Sequence, residues 1–170
     1  SNPASFGNTE CQAVELSDGS IMLNCRSERP TKFRTVATTS DLGQSWKTHP
    51  TNRKGLIEPN CNGSTIGFEY LHNGKSRHVL LFANPHSQQR RDHHSIQVSL
   101  DDGLSWPKKY RTLLDAGLGR GYPSLSQIDK QHVGIVYEGS RADLVFERLS
   151  IEELLHPAND SSRSSPRSGQ

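Results

Sequence analysis

The sequence predicts an all-β fold made of about three blades of a β-propeller with antiparallel, four-stranded blades. Two observations predict it. The first is an internal repeat: Thr39-Ser40-Asp41-Leu42-Gly43-Gln44-Ser45-Trp46 aligns with Ser99-Leu100-Asp101-Asp102-Gly103-Leu104-Ser105-Trp106, 60 residues later. The shared skeleton is an aspartate, a glycine two on, a serine two beyond that, and a tryptophan. The second is a succession of short apolar runs broken by Asp-Gly and Asn-Gly pairs, about four strands to each repeat. Propellers close as rings of about 4 to 8 blades, so 170 residues with this period read as part of a ring.

The elements follow in order. Val14 and Leu16 begin a strand that turns at Asp18-Gly19 and returns as Ile21-Met22-Leu23-Asn24. Asp-Gly between apolar runs is a strong hairpin signal, because glycine takes the positive φ the turn needs. Phe33 to Thr38 is the next strand, and the polar, proline-bearing stretch from Thr48 to Ser64 is a long loop. Residues 65–70 and 78–82 form a second hairpin through Asn73-Gly74. Ser95 to Leu100 alternates with period two, and Leu113-Leu114, Leu125 to Ile128, Val133 to Tyr137 and Leu144 to Leu149 complete the series. Only Ile151 to Leu155 reads as helical. The domain is expected over 1–155, and the Ser/Pro/Arg-rich residues 156–170 as a flexible polar tail. In the repeats, the aspartate and the Ser/Thr are expected to bond backbone amides, and the tryptophan to fill space between sheets.

Composition narrows the function. Twenty basic and 18 acidic residues give a formal charge of +2, with no basic stripe for nucleic acid. Mean hydropathy of −0.73 fits a many-turned β protein or a piece of one. No apolar run approaches the roughly 20 residues that span a bilayer. Ser1 to Ser5 lacks the basic and apolar regions of a signal peptide. Should a signal lie upstream, the compartment would be secreted, periplasmic or lysosomal-type; the residues themselves leave it open. Cys11, Cys25 and Cys61 have no metal-ligand spacing and read as buried small hydrophobes. His93 and His94 are neighbours that point to opposite faces of a strand, and read as a solvated pair rather than metal ligands. No metal or organic cofactor is implied.

Chemistry concentrates in Gly119-Arg120-Gly121-Tyr122-Pro123-Ser124-Leu125. A tyrosine there, in a glycine-rich turn between apolar strands, is exposed and held at a fixed angle, as a nucleophile must be. A phenol has a pKa of about 10, so at neutral pH it needs a base. Glu10 is the candidate, and Arg26 and Arg91 are candidates to clamp a substrate carboxylate.

The two repeats resemble the Asp-boxes of bacterial and lysosomal-type sialidases (neuraminidases), which are six-bladed propellers. The stretch from Glu10 to Arg26, Glu-Cys-Gln-Ala-Val-Glu-Leu-Ser-Asp-Gly-Ser-Ile-Met-Leu-Asn-Cys-Arg, resembles the family segment that opens on the catalytic base and closes on the second arginine of the carboxylate-binding triad. Arg91, ten residues before Asp101, stands where the family has its third arginine. Tyr122 corresponds to the nucleophile. Glu138, 16 residues beyond it, corresponds to the acid that orients the first arginine. The resemblance covers roughly residues 8 to 150. It implies an exo-α-sialidase that releases terminal sialic acid from glycoconjugates with retention, present here as a C-terminal half.

The chemistry agrees with the resemblance. Sialic acid carries a carboxylate on its anomeric carbon, which repels an anionic nucleophile; a neutral tyrosine avoids this, and sialidases are the tyrosine exception among retaining glycosidases. Arginine's planar fork gives a carboxylate two parallel hydrogen bonds. Each residue also has a plainer reading. Glu10 is otherwise a solvated strand-end acid, with Glu15 a surface residue of the same segment. Arg26 otherwise pairs locally, Arg91 competes with Arg90, Tyr122 is otherwise a core residue, and Glu138 otherwise pairs with Arg141.

The chain departs from the family at three points. It shows no Phe/Tyr-Arg-Ile-Pro segment for the first triad arginine, since Phe33-Arg34 continues as Thr35-Val36, and no aspartate matched to the general acid. Pro123 replaces a small or polar residue after the tyrosine. The expectation is weak or absent turnover alone, with the missing N-terminal half or a second copy as partner and sialylated glycans as ligands. The alternative is a non-catalytic carbohydrate-binding or scaffold fragment.

Overall fold

A computed structural model describes residues 3, 4 and 7–157; most of the expected tail lies outside the described residues. The described residues form three antiparallel sheets in succession. The first has the order β1-β2-β3-β4 (Asn8–Glu15, Ile21–Ser27, Thr35–Thr39, Lys47–Thr48). The second has the order β5-β6-β7-β8 (Ser64–His72, Lys75–Pro85, His94–Ser99, Arg111–Asp115). The third contains three strands, β9 (Gly121–Gln127), β10 (His132–Glu138) and β11 (Leu144–Ser150), with β10 central. A short helix α1 (Ile151–Leu155) follows, held by a capping box in which Ser150 and Glu153 exchange side chain-to-backbone bonds.

The expected hairpins are present. Sequence reading missed β4 and a 3₁₀ turn at Lys108–Tyr110, both too short to carry a period. β9 begins at Gly121, earlier than the apolar run suggests, because its first residues are Gly, Tyr and Pro rather than an alternating pattern.

The second sheet is the centre of the packing. On β6, Val79, Leu81 and Ala83 face the third sheet and α1, against Leu125, Val133, Ile135 and Leu154. Leu80, on the other face, meets Val14, Leu16, Met22 and Val36 of the first sheet. Burial on both faces accounts for the unbroken run Val79–Ala83, which alternation does not describe. β5 packs against both β1 and β9, so the first strands of the three sheets lie side by side.

The repeat turns are built alike. In one, Gly43 N–H donates to Thr39 Oγ1 at 2.9 Å, and Asp41 accepts from the Ser45 N–H (2.9 Å) and hydroxyl (2.6 Å). In the other, Gly103 N–H donates to Ser99 Oγ at 2.8 Å, and Asp101 accepts from Ser105 N–H and Oγ at 2.9 and 2.6 Å. Both glycines take positive φ, 86° and 78°. Trp106 packs on the apolar cluster between the first two sheets, edge-on to Phe82 at 6.1 Å. Trp46 instead covers Gly43 of its own turn.

Candidate active site

Glu10 and Tyr122 sit on equivalent irregularities. On β1, Thr9 pairs with Arg26 and Gln12 with Asn24, so Glu10 and Cys11 together oppose Cys25. On β9, Gly121 pairs with Glu138 and Ser124 with Val136, so Tyr122 and Pro123 together oppose Tyr137. Each is a β-bulge, and its leading residue takes left-handed backbone: φ is 46° at Glu10 and 50° at Tyr122. Such a conformation costs a non-glycine residue about 1–2 kcal/mol, and bulges turn a side chain away from the sheet's alternation. The result is a tyrosine that is 41% exposed at the start of a strand whose Leu125 faces the core.

The two arginines are held differently. Arg26, on β2, reaches back across the bulge: its Nη1 lies 3.2 Å from both Glu10 carboxylate oxygens. Its Nε lies 3.2 Å from Glu28. Burial works to lower the Arg26 pKa, but the Glu10 hydrogen bond and charge, then Glu28 and Tyr122, raise it overall. Arg91 lies in the β6–β7 connection and donates to two backbone carbonyls, Arg120 O and Asn60 O, at 3.3 Å each. Its guanidinium carbon stands 5.2 Å from the centre of the Tyr122 ring, at cation–π distance.

Cys61 lies beneath this cluster. Its thiol donates to Arg120 O at 3.5 Å. Burial raises its pKa, against the opposing influence of the Tyr122 backbone N–H and the Arg91 charge, with Glu10 and Arg26 also in range. Gly121 is confined by the same contact: a Cβ there would stand 2.7 Å from Cys61 Sγ and 3.0 Å from Pro85. Its φ is 88°, so space and backbone conformation both require glycine.

Four of the five sequence-expected residues are thereby linked. Glu10 is bonded to Arg26, Arg91 lies against Tyr122, and the Tyr122 phenol is within electrostatic range of Arg26. No hydrogen bond joins Tyr122 to Glu10, whose carboxylate is engaged by Arg26. Glu138 stands opposite Gly121 on β10, half-buried. Among the described residues its carboxylate forms no ion pair, with Arg141 or with the other four.

Sequence reading missed what holds the floor of the site. Arg34 and Glu58 are both fully buried and paired at 2.7 Å. Arg34 also binds Asn24 Oδ1 (2.7 Å) and Cys61 O (3.1 Å), while Glu58 accepts from Ser27 N–H at 2.6 Å. These bonds tie the 49–63 loop to β2 and β3, and so fix the Asn60 carbonyl and the Cys61 thiol. The only sequence signal is a glutamate in a polar loop.

Two smaller readings are corrected. Cys11 is exposed, unlike the buried Cys25 and Cys61, because the bulge turns it out of the sheet. His93 is exposed but His94 is not. The His94 ring lies 4.5 Å from that of Tyr137, and burial pushes its pKa down to about 4. Among the described residues no cluster of three His, Cys, Asp or Glu is placed to hold a metal ion. Nor is any helix there long and apolar enough to cross a membrane.

The sequence matches the family described as BNR repeat-like domain over residues 1–136. A sialidase of Bacteroides fragilis (strain YCH46) is 38% identical over 154 residues, covering 91% of this chain and 28% of that protein. A sialidase of Micromonospora viridifaciens is 35% identical over 134 residues, 78% of this chain and 20% of its own length. Among solved structures, Hadza microbial sialidase Hz136 superposes with a TM-score of 0.81 and 41% identity, over 89% of this chain and 29% of that one. The chain thus spans less than a third of each of these relatives.

Proposed function

Since the chain belongs to the BNR repeat-like family, as a member of its sialidases, we propose that it carries part of the active site of a retaining exo-α-sialidase. In this reading the three sheets are three blades of a six-bladed ring. Tyr122 is the nucleophile, Glu10 its base, and Arg26 and Arg91 two prongs of a clamp for the sialic acid carboxylate. The observation that carries it is the meeting of Glu10–Arg26 with Arg91–Tyr122, two pairs far apart in sequence, with Glu10 and Tyr122 on matching bulges.

The chemistry follows from these groups. A sialoside carboxylate entering between the guanidinium groups gives Arg26 an anionic partner in place of Glu10. The released carboxylate takes the phenolic proton as the Tyr122 oxygen bonds to the anomeric carbon, the glycosidic C–O bond breaks, and the aglycone leaves as an alcohol with a proton from the general acid. Because the nucleophile is neutral until that moment, the substrate's charge does not oppose its approach. Arg91, fixed by two carbonyls and stacked on the ring, orients substrate and nucleophile together, which lowers the entropic part of the barrier. Glu138 is positioned to hold a further cationic group beside Tyr122. The first triad arginine and the general acid are then supplied from outside this chain.

The test follows release from a fluorogenic sialoside by the chain alone and by the chain mixed with the N-terminal portion of a sialidase relative. Weak or absent turnover alone, recovery on mixing, and loss of the recovered activity in Tyr122→Phe support the reading. Binding of sialic acid without hydrolysis in the mixture would reduce the chain to a carbohydrate-binding module.

A further inference from the structure

The bulge that carries Glu10 has a second occupant. Because Thr9 pairs with Arg26 and Gln12 with Asn24, Cys11 shares with Glu10 a single opposing residue, Cys25. A bulge sets two residues against one on the neighbouring strand, and paired strands lie about 4.7–4.9 Å apart, within the Cα span of about 4.4–6.8 Å that a disulfide accepts. The two side chains interact with each other, and both are free thiols. Their surroundings are opposite: Cys11 is exposed, its thiol directed at Thr9 O at 3.7 Å, whereas Cys25 is 4% exposed. Cys61, with no exposed surface, is engaged elsewhere, with Arg120 O.

We propose that Cys11 and Cys25 are a modification site: a peroxide closes them into a disulfide that fastens the Glu10 bulge onto β2 beside Arg26. The exposed thiol meets the oxidant and the sheltered one resolves it. The Cys11 thiolate attacks hydrogen peroxide, giving a sulfenic acid and hydroxide, which takes up the proton Cys11 released and becomes water. The Cys25 sulfur then attacks the Cys11 sulfur and displaces its hydroxyl, which leaves as a second water with the Cys25 proton. Two thiols lose two electrons, and one peroxide becomes two waters. Burial, then the contact with Cys11, pushes the Cys25 thiol up to about 12, which shelters it from direct attack by the oxidant. Closure joins residues flanking both Glu10 and Arg26, so the bulge becomes covalently fixed at the place where the candidate base is held.

The bond forms or fails independently of any sialoside chemistry, so the test separates this inference from the reading of the site. The chain is treated with a small excess of hydrogen peroxide, denatured, alkylated, digested and analysed by mass spectrometry, beside Cys11→Ser. The expected product is lighter by about 2 Da, contains a Cys11–Cys25 cross-linked peptide, and leaves Cys61 as the one alkylated thiol. Its Tm rises by roughly 5 °C and returns on addition of dithiothreitol. Cys11→Ser, altered at an exposed position, folds and shows neither cross-link nor shift. Recovery of Cys11 as a sulfinic acid, as a cross-link to Cys61 or as an intermolecular disulfide, with Cys25 alkylated in full, overturns the proposal.

Discussion

Two arginine–glutamate pairs lie close together in this chain and share little beyond their chemistry. Arg34–Glu58 has no exposed side-chain surface, and its remaining hydrogen-bonding capacity goes to Asn24, Cys61 O and the Ser27 N–H. Arg26–Glu10 is open, with side-chain exposures of 18% and 31%, longer contacts of 3.2 Å, and a bulge rather than regular strand beneath the acid. The sealed pair cannot be exchanged without leaving a bare charge in the interior, so it fixes the backbone around it. The open pair loses little when parted, since water or another anion takes over. An ion pair thus serves as framework or as binding site according to whether a new partner can reach it.

The contrast breaks most visibly at Glu58. Glu58→Ala leaves Arg34 charged and buried and the Ser27 amide unpaired, with an expected loss of about 3–5 kcal/mol in urea denaturation. A loss below about 1 kcal/mol would mean that water reaches the pair and that the two are not different in kind. His94 offers a buried group with no such partner: its Nε2 has no hydrogen bond. Its folded pKa of about 4 lies below the ordinary histidine value of about 6.5. Between these the unfolded chain binds the extra proton, so stability is full above pH ~6.5 and falls by up to about 3 kcal/mol as pH drops to ~4. His94→Phe is expected to flatten that stretch of the stability–pH curve by one proton, with the His86 contribution, also shifted to about 4, remaining. Asn24→Ala removes one bond from Arg34 but no charge, for an expected cost of about 2 kcal/mol.

The sequence showed these two pairs very unequally. Strands and hairpins were readable because short apolar runs are separated by turn signals, with Asp18-Gly19 and Asn73-Gly74 marking two of the turns. Glu10, Arg26, Arg91 and Tyr122 were readable through family-like order and spacing. Their bulges were not, because a bulge is defined by the residue across the ladder, which no local pattern contains. Arg34 and Glu58 are 24 residues apart, on a strand edge and in a proline-bearing loop without a period, and only folding brings them together. His94 shows the same limit: β7 begins at His94, while His93 precedes it with a positive φ of 55°, and nothing local showed that the ring of Tyr137 would cover His94.

The open pair supplies the smallest change in stability and the sharpest functional contrast. Glu10→Gln keeps the size of the side chain and one acceptor for Arg26, and Arg26→Lys keeps a cation facing Glu10. Each is expected to move the urea midpoint by less than about 0.5 kcal/mol equivalent, against several for Glu58→Ala. Under the proposed function, their effects on sialic acid are expected to diverge. Arg26→Lys replaces a planar fork by a point charge and loses the two parallel bonds to a carboxylate, so binding of sialic acid to the chain, followed by NMR titration, weakens by about tenfold or more. Glu10→Gln leaves the clamp intact and binding at least as strong, because a neutral side chain no longer competes for Arg26; turnover in the mixture with the N-terminal portion falls with loss of the base. If both variants weaken binding equally, Glu10 holds the ligand rather than the proton. The open pair would then be a second rigid framework, differing from Arg34–Glu58 only in exposure.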